Sequence, residues 1–167
     1  YKRQLEYIEA VHGRPAGLIA AISCAPYVNL GFNDDWSSKD VPGLSQSDVL
    51  SLLGADIATF ESSAFMPDWQ AMATRYGLAL AGYEGGPDTF GENNIDAKTA
   101  ATLSDGMRGL TSRYLNAWFG QGGGQFNWYT LGADPYGHRF GTWSISDSIT
   151  RTDSPKSLGY LDVRNSS

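Results

Sequence analysis

Glu84 lies in the stretch LALAGYEGGP, residues 78–87, where an apolar run gives way to a carboxylate and two glycines. Three chemistries are open to a carboxylate so placed: attack as a nucleophile, acceptance of hydrogen bonds from a ligand's hydroxyls, or pairing with an arginine at a strand end. Glu92, in the loop TFGENN, reads more simply as a solvated charge. Glu61 lies off the apolar stripe of a helical stretch and reads the same way. Aromatic and amide side chains stand at places comparable to that of Glu84: Tyr27 and Asn29 after GLIAAISCA, Tyr83 beside the carboxylate, Asn127 and Trp128 in QFNWYTLG, and Trp36 in a long loop. Such groups suit sugars, because ring faces cover C–H surfaces while polar side chains bond the hydroxyls. Core packing is the competing reading for every ring. It is the better one for Trp69 and Trp118, on helical faces, and it leaves Trp128 and Trp143 open.

Other chemistries find little support. His12 and His138 have no ligand spacing, so no metal is expected. Ser23 and Ser144 lack a nucleophile elbow and a paired His. Cys24 is the only cysteine, which rules out an internal disulfide, and its apolar neighbours suit a small buried residue. No glycine fingerprint for a dinucleotide follows the first strand, and no cofactor is expected. The terminal NSS fits a glycosylation acceptor, a triplet common by chance.

These side chains need elements to hold them. Leu5, Ile8 and Val11 recur at helical spacing over residues 1–12, and Gly13 with Pro15 ends the pattern. GLIAAISCA reads as a strand covered on both faces, and residues 28–47 as a long loop. A helix capped by Ser47 carries Val49, Leu50, Leu53, Ile57 and Phe60 inward; a second, with Pro67 in its first turn and Gly77 at its end, carries Trp69, Met72 and Tyr76. LALAGY is the second strand. Asp96 caps one long helix through Leu103, Met107, Leu110, Tyr114 and Trp118, in which Gly106 and Gly109 suggest close packing. QFNWYTLG is the third strand, and a short helix follows Pro155 in a loop-rich tail. This alternation predicts an α/β fold with parallel strands. Polar and aromatic residues at the strand ends favour part of a (β/α)8 barrel over a doubly wound sheet, since barrel strand ends converge on one face. There Glu84 stands at the mouth, with Gly85 and Gly86 letting the chain turn and leaving room for a ligand.

The 167 residues suffice for one domain, with 41% hydrophobic and 13% aromatic residues. A net charge of -6 and scattered basic residues argue against a nucleic-acid partner. The apolar stretch AGLIAAISCAPYV contains a proline and is shorter than the roughly 20 residues that cross a bilayer, so no membrane span is read. The absence of an initiator Met or signal pattern suggests a piece of something longer.

APYVN, LALAGYEGGP, GQFNWYTLG and SPKSLGYLD together resemble the last third of a (β/α)8 glycoside-hydrolase-like protein, of the bacterial type often labelled cellulose-binding and similar to retaining clan A glycosidases. The resemblance covers most of the chain and implies strands six to eight of a TIM barrel, with Glu84 at the nucleophile position on strand seven. It places Trp128 at the sugar platform on strand eight and Tyr27 at the end of strand six. It implies a carbohydrate ligand, an extracellular or cell-surface setting, and the rest of the barrel supplied by upstream sequence or a partner chain. The acid/base carboxylate, an Asn-Glu pair on strand four in that family, has no counterpart here. The alternatives are a carbohydrate-binding protein without catalysis and a structural or assembly subunit with a vestigial site.

Overall fold

The structure, a computed structural model, describes residues 1–30, 41–132 and 136–165. Helix α1 spans Lys2–His12 and ends at Gly13, whose φ of 83° only glycine adopts at little cost. A 3-10 turn at Pro15–Gly17 leads into strand β1, Ala21–Cys24, and β2, Val28–Asn29, follows on the same run of chain. Two helices come next, α2 (Gln46–Ser62) and α3 (Phe65–Tyr76), then β3 (Ala79–Gly82) and β4 (Pro87–Asp88). Helices α4 (Ile95–Thr102), α5 (Asp105–Gly120) and α6 (Pro155–Arg164) complete the chain.

Every pairing is parallel. Ala21 lies opposite Ala79 and Cys24 opposite Gly82; after a break, Val28 lies opposite Pro87 and Asn29 opposite Asp88. A third row runs beside β3: the Gly124 amide donates to the Leu80 carbonyl, Gly82 to Gln125, Asn127 to Gly82 and Tyr129 to Gly85. The pairings make three neighbouring parallel rows in chain order. Eight strands close a barrel, so the described residues hold no closed one.

Ile22, Cys24 and Leu80 of the sheet are buried under Ile57, Phe60, Tyr76, Leu115 and Trp118 of the helices. A smaller cluster joins Val49 and Leu53 of α2 to Ala101 and Met107. The cap of α2 is Ser45 rather than Ser47: its hydroxyl accepts from the Asp48 amide while the Asp48 carboxylate accepts from the Ser45 amide, a capping box that satisfies two end groups at once. The long helix expected from Asp96 to Gly120 is two. The chain turns at Leu103 and Ser104, and Leu103 is exposed rather than inward. Val11 is likewise exposed, while Leu5 of the same stripe is buried. By length and composition alone, Gln46–Tyr76 would be long and apolar enough to cross a membrane. Ser63 divides it into α2 and α3, and the α2 stripe of Val49, Leu53, Ile57 and Phe60 is buried in the core.

Candidate functional site

Glu84 does not stand where a strand finishes. It lies in the break between β3 and β4, and pairing resumes three residues later at Pro87. The glycines explain the break differently from the expected sharp turn beside ligand space. A Cβ on Gly85 would lie 2.8 Å from Cζ of Phe126, and one on Gly86 would lie 3.1 Å from Cε2 of Trp128. The space beside the glycines is filled by two rings of the third row, and the carboxylate is carried past them toward an open cleft.

That cleft, of about 580 Å³, is lined by Ala25, Tyr27, Asn29, Glu84, Asp88, Phe90, Tyr129 and Trp143. Three of the residues expected from sequence thus share one wall: Tyr27 in the break between β1 and β2, Asn29 in β2, and Glu84 in the matching break of the next row. The Asn29 amide donates to Oδ2 of Asp56 on α2 at 2.8 Å, which ties the end of β2 to that helix. Burial raises the Tyr27 hydroxyl's pKa, the charges of Glu84 and Asp88 raise it further, and a hydrogen bond to the Glu84 carboxylate adds to both. The phenol stays protonated beside Glu84.

The other expected residues lie apart from the cleft. Tyr83 is exposed, and Asn127 accepts from Nε2 of Gln125 at 3.2 Å on the surface. Trp128 is half-buried: its ring packs on Gly86 and meets Phe126 edge-on, and its indole N–H donates to the Trp143 carbonyl at 2.9 Å. Trp36 lies outside the described residues. Glu92 pairs with Arg139 at 2.8 Å, and Glu61, expected to be merely solvated, pairs with Arg113 at 2.5 Å.

Sequence alone does not single out Asp88 or Phe90, places Tyr129 only as an end residue of the third strand, and leaves Trp143 open between packing and ligand contact. Oδ1 of Asp88 accepts from the Phe90 amide at 2.8 Å and from the Trp143 indole N–H at 2.7 Å. Burial raises the Asp88 pKa, against the pull of those two donors and of the Lys98 and Lys156 charges. Asp88 lies beyond the break at Glu84–Gly86, so strand alternation from Glu84 does not reach it, and no sequence signal points to it. Alternation does send neighbours Trp128 and Tyr129 opposite ways, so one ring of that pair had to face the cleft. Nothing in the tail's pattern points to Trp143.

Trp143 sits in irregular chain, yet its segment is held on every side. The Thr142 amide donates to the Thr89 hydroxyl at 3.0 Å, and the Ser144 carbonyl accepts from the Tyr136 hydroxyl at 2.8 Å. The ammonium of Lys156, fully buried, donates to the carbonyls of Thr142 and Ser144 and lies 5.9 Å from the Trp128 ring centre and 5.4 Å from that of Tyr136. Burial lowers the Lys156 pKa to about 7 although the Asp88 charge opposes that shift. Among the described residues, no three His, Cys, Asp or Glu side chains converge to hold a metal ion.

No family model, curated protein or solved structure matches the chain.

Proposed function

We propose that the chain is the C-terminal portion of a carbohydrate-active (β/α)8 protein, with Glu84 as the nucleophile of a retaining glycoside hydrolase and Tyr27 and Asn29 shaping the sugar subsite beside it. The observation that carries this reading is the convergence of Glu84, Tyr27 and Asn29 from adjacent parallel rows on one aromatic-lined cleft. The Tyr27 hydroxyl, kept protonated by burial and by the neighbouring charges of Glu84 and Asp88, lines the same cleft as the carboxylate and can hydrogen-bond a ligand held there. Retention needs a second carboxyl about 5–5.5 Å from the first to move the proton. In this reading that acid/base comes from an upstream strand of the same barrel, in the extracellular or cell-surface setting the family resemblance implies.

A binding protein without catalysis is the second reading, favoured by the cleft's own composition: its other carboxylate, Asp88, already accepts two hydrogen bonds. One substitution separates the two. Glu84→Gln keeps shape and most hydrogen bonding but removes the attacking charge, so a nucleophile's loss should lower turnover of a β-linked glucan or aryl glycoside by about a thousandfold or more with little change in affinity. Hydrolysis that survives unchanged would sink the assignment; lost affinity in a protein that does not hydrolyse would favour the binding reading.

A further inference from the structure

The nucleophile reading leaves unused the two best-anchored groups of the cleft, Asp88 and Trp143. We infer that they form one subsite for an uncharged sugar ring, with the Trp143 indole as its apolar floor and Oδ2 of Asp88 as acceptor for a ring hydroxyl. The inference rests on the carbohydrate reading of the cleft.

The accessible oxygen follows from hydrogen-bond accounting. Both donors to Asp88 meet Oδ1. Among the described residues, the buried side-chain oxygens left without a partner are those of Gln70, Tyr76, Thr99 and Thr111; Oδ2 of Asp88 is not one of them, so it keeps some exposure, and the cleft is the cavity its residue lines. A charged acceptor beside an aromatic face is what a pyranose offers bonds to: hydroxyls in the ring plane and C–H groups across it. Phe90 and Tyr129 extend that apolar wall, Phe90 with its plane 6° from that of Trp143 and Tyr129 edge-on to it. The platform is also fixed before any ligand arrives. Lys156 holds the carbonyls on both sides of Trp143, Trp128 holds the carbonyl of Trp143 itself, and Asp88 holds its indole N–H. Little ordering cost is left for binding.

Charge selects the sugar. Among the described residues, those lining the cleft include the carboxylates Glu84 and Asp88 and no Lys or Arg. The nearby cations are committed elsewhere: Lys156 to carbonyls within the fold, Lys98 to the Gly91 carbonyl at 3.2 Å, and Arg139 to Glu92. A uronate or sulfated sugar would bring a like charge against two carboxylates, with no Lys or Arg among the described lining residues to meet it.

The test uses the full-length protein that carries this chain, titrated by calorimetry with cellohexaose, xylohexaose, mannohexaose and hexagalacturonate. At least one neutral hexasaccharide should bind, and hexagalacturonate should bind about tenfold more weakly or not at all. Trp143→Ala and the near-isosteric Asp88→Asn should each weaken the neutral sugar by about tenfold or more, and Trp143→Phe, which keeps a ring, by less. A neutral hexasaccharide bound equally by the wild type and by folded Asp88→Asn and Trp143→Ala variants would overturn the subsite while leaving the carbohydrate reading intact. Preferential binding of hexagalacturonate would overturn the choice of an uncharged sugar alone. No binding of any of these hexasaccharides by the wild type would overturn both.

Discussion

A buried ammonium with no carboxylate in contact is expensive to keep charged, and Lys156 is such a group among the described residues. Its folded pKa of about 7, against 10.5 for the free side chain, means that between those values the unfolded chain binds more protons than the folded one. Stability therefore rises with pH across that window, with a ceiling of roughly 4 to 5 kcal/mol at about 1.4 kcal/mol per pH unit. The clean range is pH 7 to 8.5, because the Cys24 thiol, pushed up by burial from 9.0 to about 11, begins to act in the opposite sense only above it. The raised pKa of Asp88 acts in the acid range, below it. Urea unfolding of the intact protein should show stability climbing through this range, and Lys156→Met should remove most of the climb. Equal slopes for the two proteins would show that Lys156 is not the titrating group. At this scale the sequence was informative for Glu84, Tyr27 and Asn29, whose positions follow from where apolar runs give way to polar ones. It was uninformative for Trp143, because the groups that place that ring are side chains distant in sequence: Thr89, Trp128, Tyr136 and Lys156.

Among elements, the legible features were those fixed by local chemistry. The inward stripe of α2, the left-handed Gly77 that ends α3 and the proline start of α6 follow from periodicity and end residues alone. The division of α4 from α5 was not legible, because the apolar spacing of Met107, Leu110, Tyr114 and Trp118 extends back to Leu103 without a break. What ends α4 is the Ser104 hydroxyl, which donates to the Ala101 carbonyl at 2.7 Å while Ser104 itself takes an extended backbone. The glycines of α5 divide in the same manner. A Cβ on Gly106 would meet Leu50 Cδ1 at 2.7 Å, as close packing predicts, whereas Gly109 has nothing within 4 Å. Gly109→Ala should therefore stabilise the protein by up to about 1 kcal/mol through helix propensity. Gly159 of α6 is the contrary case, since its Cβ would lie 2.5 Å from the Arg108 carbonyl and 2.8 Å from Cβ of Thr111. Gly159→Ala should cost about 1–3 kcal/mol by forcing α6 off α5. Urea midpoints that move the same way for both substitutions would contradict this account of the two helix surfaces.

For the whole molecule, the sheet's outer side is the decisive feature. Among the described residues β1 pairs only with β3, leaving one edge of β1 without a strand, and Tyr7, Val11 and Leu18 on the adjoining chain are 63%, 55% and 62% exposed. An unpaired parallel edge and exposed large apolar residues on the same stretch are features that proteins cover, because both promote association. In the proposed barrel the preceding strand pairs with β1, and the helix that leads into that strand packs against α1. The order of the rows agrees with that arrangement, each new row adding beside the last, as successive strands do around a barrel wall. It would agree equally with one half of a doubly wound sheet, so the edge has to be tested directly. Residues 1–167 expressed alone should sediment as a mixture of associated species and unfold without a sharp transition, and a longer chain that includes the upstream strands should be monomeric and cooperative. A single sedimenting monomer of residues 1–167 with a cooperative urea transition would show that the β1 edge needs no further strand. The cleft would then have to find its acid/base carboxylate among these residues or do without one, and the binding reading of Glu84 and Asp88 would take precedence over the catalytic one.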